Sequence, residues 1–161
     1  MTQRTRILIA CAILIVLAGA ILGFDLVRRR SQATTLAPGS IPVYADGRLV
    51  GGFAPADLGQ LEKVSFVDAE EGKTQEGWML SNVLALHVQR SALQPDTRIV
   101  VSSSSRDKGQ ELTWAEVEDP ANMVMFALSN RGTLKLVSRL EKLDTRDEWV
   151  QDVDRIEISQ P

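Results

Sequence analysis

At 161 residues the chain has room for one domain of about 100 to 150 residues and little more. From residue 31 onward it carries 13 Lys plus Arg against 20 Asp plus Glu, a formal charge of −7 with the basic residues interspersed among acids, which disfavours nucleic acid as a partner. A single histidine, His87, and a single cysteine, Cys11, are too few for the usual zinc or iron ligand sets or for a disulfide framework.

Residues 1–30 read as an N-terminal membrane anchor. Ile7 to Phe24 contains no charged residue, and at about 1.5 Å per helical residue it nearly crosses a hydrocarbon core of about 30 Å. Asp25 marks the interfacial edge, and Arg28, Arg29 and Arg30 fall among the lipid headgroups. Two processing alternatives stand beside a permanent anchor: cleavage after Ala18-Gly19-Ala20, and a lipoprotein-type box at Leu8-Ile9-Ala10-Cys11. Arg4 and Arg6 nearly balance Arg28 to Arg30, so the positive charges barely orient the segment. The short N-terminal tail and the thiol-free domain favour an extracytoplasmic side. Gly19 and Gly23 have the small-xxx-small spacing that lets membrane helices approach closely.

Residues 31–40, polar with a Pro-Gly pair, form a linker, and residues 41–161 form the domain. Ile41 to Tyr44 and Leu49-Val50 flank an Asp46-Gly47 turn and predict a hairpin. Pro55 to Leu61 predicts a helical turn, Val64 to Asp68 a short strand, and Gly72 to Gly77 a polar connection. Ser81 is the expected cap of a helix whose apolar face carries Leu80, Val83, Leu84 and His87. Arg98 to Ser102 predicts a strand with a buried run at Ile99 to Val101. Thr113 and Glu116 have capping-box spacing for a short helix ending at Asp119-Pro120. Met123 to Leu128 reads as a central strand, Asn130 to Gly132 as a turn, and Arg155 to Ser159 as a closing strand. Short strands outnumbering helices without a βαβ rhythm predict an α+β fold with a mixed sheet.

Few residues carry chemistry. His87 on an apolar helix face is expected to be a packed histidine bonded to a backbone carbonyl. The loop Ser102 to Ser105 with Arg106 offers hydroxyl and guanidinium donors, Ser102, Ser104 and Arg106 among them, to an anion or polar ligand, or serves simply as a solvated turn. Glu70 and Glu71 lack the repeated oxygen ligands of a calcium loop and read as a solvated turn. Trp78, Trp114 and Trp149 are expected in the core.

Glu76 to Leu84, Arg98 to Ser102, Leu112 to Trp114, Glu118 to Pro120 and Trp149 to Ile158 occur in an order that resembles the sulfite-oxidase-type molybdopterin-binding domain, with Gly77, Leu80 and Leu84 matching best. The resemblance runs from Ile41 to Ser159. It implies a cofactor whose molybdenum is held by a cysteine thiolate upstream of the glycine. In this chain Phe66 takes that place, and a phenyl ring cannot ligate a metal. The family's phosphate-gripping basic residues correspond to Lys135, Arg139 and Arg146, the last flanked by Asp144, Asp147 and Glu148. The expectation is therefore a membrane-bound, non-catalytic domain with no cofactor, binding a partner protein or small ligand. The alternatives are a molybdopterin-dependent oxidoreductase component and a structural subunit of a membrane complex.

Overall fold

Alternating apolar and polar residues decide which face each strand buries, and two sheets result. The computed structural model describes residues 36–161, so the predicted anchor and the start of the linker lie outside the described residues. Among the described residues there are nine strands: β1 Ile41–Ala45, β2 Arg48–Phe53, β3 Val64–Val67, β4 Thr74–Met79, β5 Arg98–Ser103, β6 Lys108–Thr113, β7 Met125–Leu128, β8 Leu134–Val137 and β9 Arg155–Ser159. Two short helices, α1 Leu80–Leu84 and α2 Trp114–Glu118, and several single 3₁₀ turns join them. Strand order is β2-β1-β9-β5-β6 in one sheet and β3-β4-β7-β8 in the other. The first is mixed, because β9 runs parallel to β1 and antiparallel to β5; the second is antiparallel throughout. The α+β class expected from the sequence holds. Among the described residues no helix is long and apolar enough to cross a membrane.

The main core draws on both sheets. Val43, Ile99, Val101, Leu112 and Ile156 from the first meet Trp78, Phe126, Leu134 and Leu136 from the second, with Leu80, Val83, Leu84, Trp114 and Val117 from the helices. The expected continuous burial of β5 resolves into alternation: Ile99 and Val101 are buried while Val100 is only half-buried. The Asp46-Gly47 hairpin forms as the sequence predicts. So does the capping box of α2, where the Glu116 N–H donates to Thr113 Oγ1 at 3.3 Å and the Thr113 N–H to Glu116 Oε2 at 2.8 Å.

Three expectations are corrected. The segment from Gly72 to Gly77 is not a polar connection, since residues from Thr74 onward form β4, an interior strand. Its polar composition hides an alternation in which Gln75, Gly77 and Met79 share one face. A Cβ at Gly77 would stand 1.9 Å from the Phe126 carbonyl oxygen, so only glycine lets β4 and β7 approach this closely. Ser81 does not cap α1; β4 runs straight into the helix, and the Leu80 N–H donates to the Val124 carbonyl at 2.9 Å. Lys108–Thr113, for which the sequence predicts no element, is a strand paired along its length with β5. Finally, β7 begins at Met125, because Met123 takes a left-handed conformation at φ 47° after the Pro120–Asn122 turn.

His87 lies beyond α1 and stacks on Phe53 with ring centroids 6.2 Å apart. The carbonyl partner expected for it is absent: Nε2 is buried without a hydrogen bond. Burial pushes its pKa below the ordinary histidine value, with the Asp57 carboxylate opposing the shift. A Cβ on Gly51 would fall 2.3 Å from His87 Nδ1, so the ring occupies the space that glycine leaves. Gly51→Ala should lower stability by about 1 to 3 kcal/mol through overpacking. In denaturant titrations the Gly51→Ala/His87→Ala protein should be less destabilised than the two single variants together; strict additivity would contradict this packing.

Candidate functional site

The second sheet buries two faces. Trp78, Phe126, Leu134 and Leu136 point into the main core, while the opposite face carries Phe66, Gln75, Met79, Met125, Ala127, Lys135 and Val137. On that face Phe66, Met79, Met125, Ala127, Val137 and Trp149 form a second apolar cluster. The Trp149 indole is fixed by its Nε1–H, which donates to the Leu143 carbonyl at 3.1 Å.

Toward Gln75 and Lys135 the same face becomes polar. The Lys135 ammonium stands 4.5 Å from the centre of the Trp149 ring and donates to Gln75 Oε1 at 2.7 Å. The Gln75 amide donates in turn to Asp68 Oδ2 at 2.9 Å, and Asp68 Oδ1 accepts the Glu71 N–H at 2.7 Å. Both Asp68, 3% exposed, and Gln75, 7% exposed, are buried. The Gln75 hydrogen bond and the neighbouring backbone N–H groups hold the Asp68 carboxyl below the usual carboxylate range despite desolvation. Burial lowers the Lys135 pKa, and the nearby Arg146 adds to that shift. Lys135 makes no ion pair among the described residues.

Gln75 and Lys135, the outer end of this chain of contacts, line a groove of about 560 Å³ together with Lys73, Arg131, Arg146 and Trp149, while Asp68 lies behind it. Four cationic side chains line it against two carboxylates, Glu71 and Glu76. Glu71 is shared between Lys73 at 2.8 Å and Arg146 at 3.3 Å, and those cations hold its carboxyl below the ordinary value. Glu70 accepts the Arg146 backbone N–H at 2.7 Å. The Glu70-Glu71 turn, read from sequence as merely solvated, therefore ties down the segment that carries Arg146.

Of the residues singled out in the sequence, Lys135 and Arg146 come together in this groove. Arg106 lines an adjoining depression with Arg146 and Trp149, but its Nε–H donates to Asp152 Oδ2 at 2.8 Å. Ser102 and Ser104 border a separate depression, where the Ser104 N–H and hydroxyl both donate to Asp154. The loop from Ser102 to Arg106 is thus not part of the groove, and Asp152 and Asp154 take up the donors of Ser104 and Arg106. Asp144, Asp147 and Glu148, expected to oppose an anion near Arg146, do not line the groove; the opposing carboxylate is Glu71. Sequence reading missed Gln75 and Asp68. Gln75 is marked only by the buried face of β4, a strand hidden in a polar stretch, and Asp68 follows directly on β3.

Phe66 is 4% exposed within the second cluster, with the Arg139 guanidinium 5.5 Å from its ring centre. At the place the resemblance assigns to a metal-binding thiolate there is a packed phenyl group, so the residues present do not fit a thiolate-held molybdenum. Among the described residues no three His, Cys, Asp or Glu side chains converge as a metal-ligand set. No family model matches the chain, and no curated protein matches it.

The Asp68 shift fixes a pH dependence. A carboxyl whose folded pKa is depressed adds stability in full above its unfolded value of about 3.9, and that stability is lost as pH falls through the folded value. Asp68→Asn should therefore melt below the parent protein at neutral pH, with the gap closing as pH drops below about 4. A constant gap across that range, followed by circular dichroism, would contradict the role given to the charge.

Proposed function

We propose that the chain is a membrane-anchored, non-catalytic domain of the molybdopterin-binding type that binds a small ligand or a partner protein. The observation that carries the binding reading is Lys135, a half-buried ammonium without an ion-pair partner among the described residues, held by the Gln75 amide in the lining of a groove. Natural binding sites are concave, of about 300 to 1,000 Å³, with a few placed polar groups, and this groove is of that kind. The packed Phe66 supports a role without metal chemistry. The charge-free run from Ile7 to Phe24 supports attachment to a bilayer. Attachment raises the effective concentration of the domain for anything else held at that membrane.

The full chain should be made in a host that synthesises molybdopterin and then extracted from the membrane fraction with detergent. It should stay in the membrane pellet through an alkaline wash, and the purified protein should carry neither molybdenum nor pterin in stoichiometric amount. Stoichiometric molybdenum would overturn the non-catalytic reading in favour of an oxidoreductase component, and release by the wash would overturn the anchor.

A further inference from the structure

We propose that His87 is a pH-sensitive fastener for the edge of the first sheet: while neutral it holds β2 and the linker seated on that strand, and on protonation it releases both. The device is independent of the groove and of any ligand there. β2 has little of its own to hold it. It lies at the edge of its sheet and pairs with β1 alone. Even that pairing is interrupted, because Val43 stands opposite Gly51 and Tyr44 opposite Leu49, which leaves Val50 over as a bulge. The next two residues, Gly51 and Gly52, bring no side chains, and successive strand positions face opposite ways. Other parts of the chain supply the missing packing. A Cβ on Gly51 would collide with the His87 ring, and one on Gly52 would stand 2.5 Å from Leu36 Cδ2. His87, from the turn after α1, and Leu36, from the linker, therefore grip adjacent glycines from opposite faces.

The ring holds only while neutral. Its face lies on Phe53, and its Nε2 is buried without a hydrogen bond. Protonation puts an N–H on both ring nitrogens and a positive charge into this slot, where Nε2 meets no acceptor. Little offsets that charge among the described residues. Gly51 and Phe53 on β2 carry none. Asp57, on the turn Pro55–Gln60, is the one charged group that acts on the ring, but its Oδ2 accepts the Ala54 N–H at 2.7 Å and it makes no ion pair with His87. Arg90, further along the chain, donates to Asn82 Oδ1 at 2.7 Å. Burial outweighs Asp57 and favours the neutral ring. Stability from such a group is full above the ordinary histidine value of about 6.5 and is lost as pH falls below it. An opening that frees the ring takes up the proton, so its population rises by up to about tenfold at one pH unit below that value.

The test follows amide hydrogen exchange of the full chain in detergent at about pH 7.5 and about pH 5.5, each corrected for the intrinsic exchange rate. Protection of β2 should fall several-fold, up to about tenfold, at the lower pH, while β5 keeps its protection. His87→Phe keeps an aromatic ring on Phe53 and cannot titrate, so its β2 should be equally protected at both pH values; His87→Gln serves the same purpose if the larger ring does not fit. In the parent protein the NMR signal of the only histidine gives the midpoint directly, and the Leu36 methyl signals should move with that same midpoint. Protection of β2 that is unchanged between the two pH values, or that falls equally in the non-titrating variant, would overturn the proposal. So would a loss shared equally by β5, which is general destabilisation, or Leu36 signals that ignore the histidine midpoint. If neither variant folds, the parent protein still decides, since loss of β2 protection must track the histidine midpoint and a different midpoint overturns the assignment.

Discussion

A buried carboxylate keeps its charge only where donors replace the water it has lost. In this domain those donors organise one whole face of a sheet. Asp68 gathers the Gln75 amide and the N–H groups of the turn that follows it. The amide is thereby oriented with its oxygen outward, and that oxygen holds Lys135 over Trp149. The negative charge reaches the lysine through a neutral amide, so the ammonium is positioned without being neutralised by a direct ion pair. Its neighbours are treated differently, for Arg131 and Arg106 share Asp152 while Lys73 and Arg146 share Glu71.

The backbone makes this possible. Gly77 lets β4 lie tightly against β7, and the alternation along β4 then sends Trp78 into the main core while Gln75 and Met79 face the second cluster. The sheet is buried on both faces, and the polar groove exists because one end of the second face ends in Gln75 and Lys135 in place of apolar side chains. Trp149 joins the two halves, belonging to the apolar cluster with Phe66 and Met79 and lying beneath the ammonium at its edge.

Local signals in the sequence were read correctly where the physics is local. The Asp46-Gly47 turn, the Thr113–Glu116 capping box and the burial of Trp78, Trp114 and Trp149 need only neighbouring residues or bulk hydrophobicity to explain them. Errors fell where a distant partner decides. Thr74–Gly77 reads as a polar connection until β3 and β7 flank it, and Lys108–Thr113 carries no strand signal until β5 pairs with it. The site divides in the same way. Lys135 and Arg146 were marked through the family resemblance, and they meet in the groove. Ser102, Ser104 and Arg106 were marked by composition alone, and two aspartates distant in sequence take up donors of Ser104 and Arg106. Asp68 and Gln75 carry no signal of their own, since neither type is expected to be buried.

The resemblance to molybdopterin-binding domains supplies an expectation about architecture, and a fold carries no chemistry apart from its site. At Phe66 the chain has a packing residue where that chemistry needs a thiolate. What the site offers instead is a desolvated, unneutralised ammonium, and this can be observed directly. In protein labelled with ¹³C at the lysine ε-carbon, NMR titration of Lys135 reads its charge state. Lys135 should titrate below the ordinary lysine value, because burial disfavours its charged form. A Lys135 that titrates at the ordinary lysine value would contradict the account.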